Sequence, residues 1–129
     1  MSDPMVNVRY MVDDVDAAIV WYTKHLDFEL ISSAAPAFAD VKRGSLRLLL
    51  SGPKSSAGRP MADGEQPKPG GWNRIHFVVN DLNAEVARLQ GAGVTFRTEI
   101  VRGPGGSQIL LQDPSGNLIE LFEPTRRAK

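Results

Sequence analysis

The sequence predicts an α+β protein made of two βαβββ modules, and three observations carry that prediction. First, strand-like and helix-like hydrophobic periods follow one another in the same order twice. Second, the two runs share letters as well as order. Val12-Asp13-Asp14-Val15-Asp16-Ala17 matches Val79-Asn80-Asp81-Leu82-Asn83-Ala84 at an offset of 67 residues, and an internal duplication on this scale decides the fold. Third, a Pro-, Gly- and Ser-rich stretch over 51–71 separates the runs.

The elements follow in order. Met5 to Val12 alternates, with Val6, Val8, Tyr10 and Val12 on one face and Asn7, Arg9 and Met11 on the other. That is the period of a strand with one apolar side. Asp13 and Asp14 are candidate caps for a helix from Asp16 to about Leu26, whose apolar stripe is Val15, Ala18, Ile19, Tyr22 and Leu26. Lys24 and His25 fall in its last turn, where positive charge suits the helix dipole, and His25 is expected at the surface. Trp21 and Tyr22 are expected to serve core or dimer packing. Phe28–Ser32, Ala37–Arg43 and Leu46–Leu50 read as strands divided by Pro36 and Gly44.

The stretch from Ser51 to Gly71 reads as one long loop, a functional lid or a linker. Then the order repeats. Arg74 to Val79 alternates, Leu82, Val86 and Leu89 mark a second helix closed by Gly91-Ala92-Gly93, and Val94–Val101, Gln108–Gln112 and Leu118–Phe122 complete the module. Gly103-Pro104-Gly105-Gly106 is a hairpin loop rather than a phosphate cradle, because strands flank it on both sides. Asp113-Pro114-Ser115-Gly116 is turn chemistry. The tail Thr125-Arg126-Arg127-Ala128-Lys129 is polar and expected to fray. Residues 1–129 thus form one domain: module 1 over 5–51, a linker over 52–71 and module 2 over 72–124.

Composition narrows function. The 129 residues carry 15 Lys plus Arg against 15 Asp plus Glu, a formal net charge of zero, which argues against a nucleic-acid binder driven by phosphate contacts. No apolar run approaches the ~18 residues of a membrane span, and the N-terminus lacks the pattern of a secretion signal. Cys is absent, so disulfides, thiolate metal sites and cysteine nucleophiles are excluded, and a cytoplasmic location is expected.

Three segments, VDDVDAAIVWYTKHLDFEL, NDLNAEVARLQGAGV and DPSGNLIELFEP, together resemble the vicinal oxygen chelate superfamily of glyoxalase, bleomycin-resistance and extradiol-dioxygenase proteins. The resemblance spans nearly the whole chain. It implies that the two sheets curl into an open cup holding a small organic molecule, and that the protein forms homodimers. In metal-dependent members it implies one divalent ion bound by His, Gln or Glu from the first and last strand of each module.

Counting back from the apolar residue that opens each helix gives Asn7 and Arg74 for the first strands. Counting on from the turn glycines gives Leu48 (or Leu49, if the turn differs by one) and Glu120 for the last strands. Only Glu120 is a good ligand. Leu48 has no donor atom, and Arg74 has no lone pair and a fixed charge that repels a divalent ion by several kcal/mol in a partly dry cup. The expected site is therefore metal-free, with Arg74 replacing the ion's charge and pairing with Glu120 or with an anionic group of the ligand.

The ligand-binding candidates are Asn7, Arg9, Arg74, His76, Glu120 and Phe122. Asn7 and Arg9 share the inward face of the first strand and offer an amide and a cation. His76 follows Arg74 on the same face, and Phe122 shares the face of Glu120 as an apolar wall. Trp72, after the loop, reads as an anchor at the cup mouth or as a packing residue. No cofactor is expected. Three readings stand: a metal-free binding protein that sequesters its ligand; a metal-dependent lyase, isomerase or dioxygenase with an atypical site at His76 and Glu120; and a metal-independent enzyme using Glu120 or His76 as base and Arg74 as anion stabiliser.

Overall fold

A computed structural model describes residues 6–125. Met5, where the first strand is expected to begin, and the tail beyond Thr125 lie outside the described residues. The chain divides at Gly70 and Gly71 into two compact units. The first contains β1 (Asn7–Met11), α1 (Val15–His25), β2 (Glu29–Ala34), β3 (Phe38–Arg43) and β4 (Leu46–Ser51). Its sheet runs β1-β4-β3-β2, with β1 and β4 parallel and the other pairs antiparallel.

The first helix starts where the Asp14 side chain accepts from the Ala17 N–H at 3.1 Å, supplying an acceptor to an otherwise orphan donor. Its buried stripe is Val15, Ala18, Trp21, Tyr22 and His25. Opposite it lie Leu48 and Leu50 of β4 and Ala39 and Val41 of β3, all fully buried. His25 departs from the surface position expected of it. It stands three and four residues after Tyr22 and Trp21, so the helical period carries it onto their face, and its ring meets Trp21 edge-on at 5.8 Å. Trp21 and Tyr22 are core residues, with Tyr22 packed edge-on against Phe28 at 5.4 Å.

The second unit contains β5 (Arg74–Val78), α2 (Leu82–Gly91), β6 (Thr95–Phe96), β7 (Val101–Gly103), β8 (Gly106–Gln112) and β9 (Leu118–Pro124). The order is β5-β9-β8-β6, with β7 also on β8. The first turn of α2 is fixed twice: the Ala84 N–H donates to Asp81 at 3.0 Å and the Leu82 N–H donates to Glu123 Oε1 at 2.8 Å. The second acceptor comes from β9, so it ties the helix start to the sheet.

One expectation is corrected in this unit, and the loop before it carries local structure. The strand expected over Val94–Val101 is broken into β6 and β7. The Leu110 N–H donates to Thr98 Oγ1 at 3.1 Å, while the Leu110 carbonyl accepts from both the Arg97 and Thr98 N–H groups. A side chain thus takes a ladder position, and 97–100 bows away from β8. The stretch 52–71 is not featureless. Ser55 caps a 3₁₀ turn at Ser56–Gly58, accepting from the Gly58 N–H at 3.1 Å and donating to the Gly52 carbonyl at 2.6 Å. Gln66 Nε2 donates to the Gly58 carbonyl at 2.7 Å.

Candidate functional site

Each sheet has a helix-covered face and an open one, and strand alternation assigns the side chains. In the second unit Ile75 and Phe77 of β5 pair with Ile119 and Leu121 of β9 on the helix side. Arg74, His76, Leu118, Glu120 and Phe122 therefore take the open side. The register sets His76 directly beside Glu120 and Arg74 beside Leu118, and on the other flank Leu110 of β8 pairs with Glu120.

Glu120 is 7% exposed and is the focus of this group. Arg74 Nε donates to its Oε1 at 3.0 Å, and His76 Nε2 stands 3.5 Å from its Oε2. Arg74 Nη1 also donates to the Trp72 carbonyl at 3.2 Å. The His76 ring lies over Phe122 at 5.0 Å between centroids. Four of the six expected binding residues are thus gathered on one sheet face, with the carboxylate neutralised by an adjacent guanidinium. Trp72 is largely exposed, and its ring carries the Arg97 guanidinium at 4.7 Å, a cation–π contact rather than a core position.

The open face of the first unit carries the other two, Asn7 and Arg9, and its register corrects the first of the two leucine alternatives. Leu48 pairs with Val8 and faces α1, whereas Leu49 pairs with Arg9 on the open side. Arg9 Nη1 donates to Ser51 Oγ at 2.8 Å. No local pattern in the sequence marks the third partner in this row. Asp40 of β3 pairs with Leu49, has no exposed surface, accepts from Arg47 Nε at 2.7 Å and receives a short hydrogen bond from Ser32.

Burial opposes ionisation of Asp40. The hydrogen bonds from Ser32 and Arg47 and the Arg47 charge outweigh it, and hold the carboxyl below its ordinary value. An Asp in a strand between Ala39 and Val41 looks like a break in an apolar run. Only its register with Arg47 and Ser32 shows what holds it.

The two open faces therefore carry parallel rows with exchanged chemistry. Across three strands the first reads Arg9, Leu49, Asp40 and the second reads His76, Glu120, Leu110. In one the leucine is central and the acid flanks it; in the other the positions are reversed.

A divalent ion needs several converging lone pairs. Among the described residues no group of three or more His, Cys, Asp or Glu side chains converges. At Glu120 the nearest cationic partner is Arg74, and a guanidinium about 5 Å from a divalent ion opposes it by on the order of 5 kcal/mol at an effective dielectric of ~20. The donor set does not fit the divalent ion that the resemblance implies for metal-dependent members.

A recess of about 720 Å³ lies apart from these residues, where the chain bows out between Phe96 and Ile100 beside Gln90. It follows from the broken strand and includes none of the six expected residues.

A sequence model of the Glyoxalase/Bleomycin resistance protein/Dioxygenase superfamily matches residues 5–121. No curated protein matches the chain. Among solved structures, a member of that superfamily from Sphaerobacter thermophilus DSM 20745 is 26% identical with a TM-score of 0.75, over 95% of this chain and 98% of the other. The antibiotic-binding protein TnmS3 from Streptomyces sp. CB03234 is 24% identical with a TM-score of 0.72, over 97% and 98%. A lactoylglutathione lyase from Agrobacterium tumefaciens is 23% identical with a TM-score of 0.71, over 95% and 94%. The fold is thus shared by proteins described as binders and as enzymes. Among the described residues no helix is long and apolar enough to cross a membrane.

Proposed function

Because the chain belongs to the Glyoxalase/Bleomycin resistance protein/Dioxygenase superfamily, we propose that it binds a small organic molecule on an open sheet face without a divalent metal, holding the ligand rather than transforming it. One observation carries this reading: the Glu120 carboxylate is already engaged by Arg74 at 3.0 Å, with His76 at 3.5 Å. A carboxylate held by a guanidinium has fewer lone pairs to offer a metal or a substrate proton, since both roles require them. What remains on this face is suited to recognition: a fixed charge pair and an imidazole packed against Phe122. The likeness to an antibiotic-binding protein agrees with such a role.

The test joins metal analysis to a ligand screen. Protein purified without chelator is expected to hold far less than one equivalent of zinc, nickel, iron or manganese. A thermal-shift screen of antibiotics and metabolites is expected to find a stabilising compound that mass spectrometry recovers unchanged. A stoichiometric metal that Glu120→Gln removes, or turnover that the same substitution abolishes, overturns the reading.

A further inference from the structure

We infer that the open face of the first unit is an oxyanion clamp, in which Arg9 and Arg47 together take a carboxylate or phosphonate of the bound molecule. The inference rests on the binding role proposed above and names the ligand's chemical class.

Register brings the two cations together. Arg9 pairs with Leu49 and Asn7 pairs with Arg47, so Arg9 and Arg47 are diagonal neighbours on β1 and β4, with Cα atoms roughly 8 Å apart from strand spacing and rise. Their anchors then set where the guanidiniums go. Arg9 is held by Ser51, one strand repeat beyond Leu49, and Arg47 by Asp40, directly across from Leu49 on β3. Ser51 and Asp40 are themselves diagonal neighbours on β4 and β3, so the two guanidiniums lie side by side on this face with anchors roughly 8 Å apart.

Among the described residues each guanidinium spends one nitrogen on the protein, Nη1 for Arg9 and Nε for Arg47. The other nitrogens are left to donate. Arg9 is exposed and the Arg47 side chain is 39% exposed.

Charge accounting leaves an anion wanted. Asp40 matches one of the two guanidiniums, and Lys42 beside Arg47 stands opposite Glu29 of β2. One positive charge is therefore uncompensated on a face with a leucine at its centre, and two planar forks side by side match a carboxylate or phosphonate better than a single ammonium does. The anchoring also limits the entropy lost when the forks engage an anion.

An apolar recess continues the same face. Met11, two residues along from Arg9, borders a recess of about 230 Å³ walled by Pro53, Pro67 and Pro69, with Asp13 and Lys68 supplying one charge of each sign. That volume suits a single ring or short chain rather than a large drug-like molecule. The linker thereby acquires a role as the wall beside the clamp.

The probes are benzoate, phenylphosphonate and neutral benzamide, titrated into chelator-treated full-length protein while the arginine side-chain Nε–Hε NMR signals are followed. Saturable shifts at Arg9 and Arg47 are expected with at least one of the two anions and not with benzamide. Which anion binds more tightly distinguishes a carboxylate ligand from a phosphonate one. Arg9→Gln and Arg47→Gln are each expected to weaken binding by about tenfold or more, the usual worth of a charged hydrogen bond. Arg47→Lys, which keeps a charge for Asp40 and so protects the fold, is expected to lose affinity as well. Arg88→Gln, on helix α2, is expected to bind as the parent does.

Benzamide binding as tightly as benzoate, no saturable binding by either anion, or binding indifferent to Arg9→Gln and Arg47→Lys overturns the clamp. Because metal is removed beforehand, a metal found in the untreated protein counts against the metal-free reading while leaving this titration to decide the clamp. A neutral ligand from the thermal-shift screen whose binding ignores both arginines supports the binding role and counts against the clamp.

Discussion

Arg74 and Glu120 are separated by 46 residues of sequence yet meet at 3.0 Å on adjacent parallel strands. The guanidinium occupies a carboxylate whose lone pairs could otherwise help hold a metal, so replacing it with a donor should let one bind. Arg74→His, adding an imidazole beside His76 and Glu120, is expected to bind Zn²⁺ or Ni²⁺ with measurable heat in calorimetry, whereas the parent shows none at these residues. Arg74→Ala, which strips the partner from a buried carboxylate, is expected to lower stability by about 1–3 kcal/mol, read from the urea midpoint.

Acid should loosen the first unit through Asp40. Its carboxyl is held below the ordinary value of 3.8, so the folded state favours the ionised form. A depressed carboxyl contributes stability above its unfolded pKa and loses it as pH falls through the folded one. The urea midpoint is therefore expected to fall on acidification below about pH 4, in the range where Asp40 gains its proton. Asp40→Asn should be less stable near neutrality and should show a shallower acid limb. Equal acid limbs in the two proteins would remove Asp40 from the account.

Gly106 controls the position of Phe122. A Cβ there would stand 2.7 Å from the Phe122 ring and would collide with the Glu123 carbonyl. Gly106→Ala is expected to cost about 1–3 kcal/mol from overpacking and to move the ring that stacks on His76. The measurements are the urea midpoint and the NMR shifts of the His76 ring protons. Unmoved His76 signals would show that the sheet absorbs the clash elsewhere.

The cap from Glu123 is the third mechanical feature open to test. Its Oε1 accepts from the Leu82 N–H at 2.8 Å. Glu123→Ala is expected to cost about 0.5–2 kcal/mol, as other helix caps do. Glu123→Gln, which keeps an acceptor but no charge, should cost clearly less. Hydrogen exchange at Leu82 gives a local readout, and it should accelerate in Glu123→Ala.

Local signals made much of this molecule legible in advance. The caps Asp14 and Asp81, the two helices and the alternation of β1, β5 and β9 depend on neighbours within a few residues, and Arg74, His76, Glu120 and Phe122 share a face by parity alone. What could not be read depends on register between distant strands. Leu48 and Leu49 stay open in the sequence because one residue in the Gly44 turn flips the whole face. Asp40 is silent there because Arg47 and Ser32 become its partners only when β2, β3 and β4 align. The bow at 97–100 arises from a single hydroxyl, Thr98, competing with backbone. For His25 the preference of a positive charge for the last turn points to the surface, but the helical period turns the side chain inward.

The exchanged rows, Arg9–Leu49–Asp40 and His76–Glu120–Leu110, have a consequence for what the duplication conserves. One half offers spare guanidinium nitrogens around an aliphatic centre and the other a carboxylate already capped, so a backbone copied once carries two unlike chemistries.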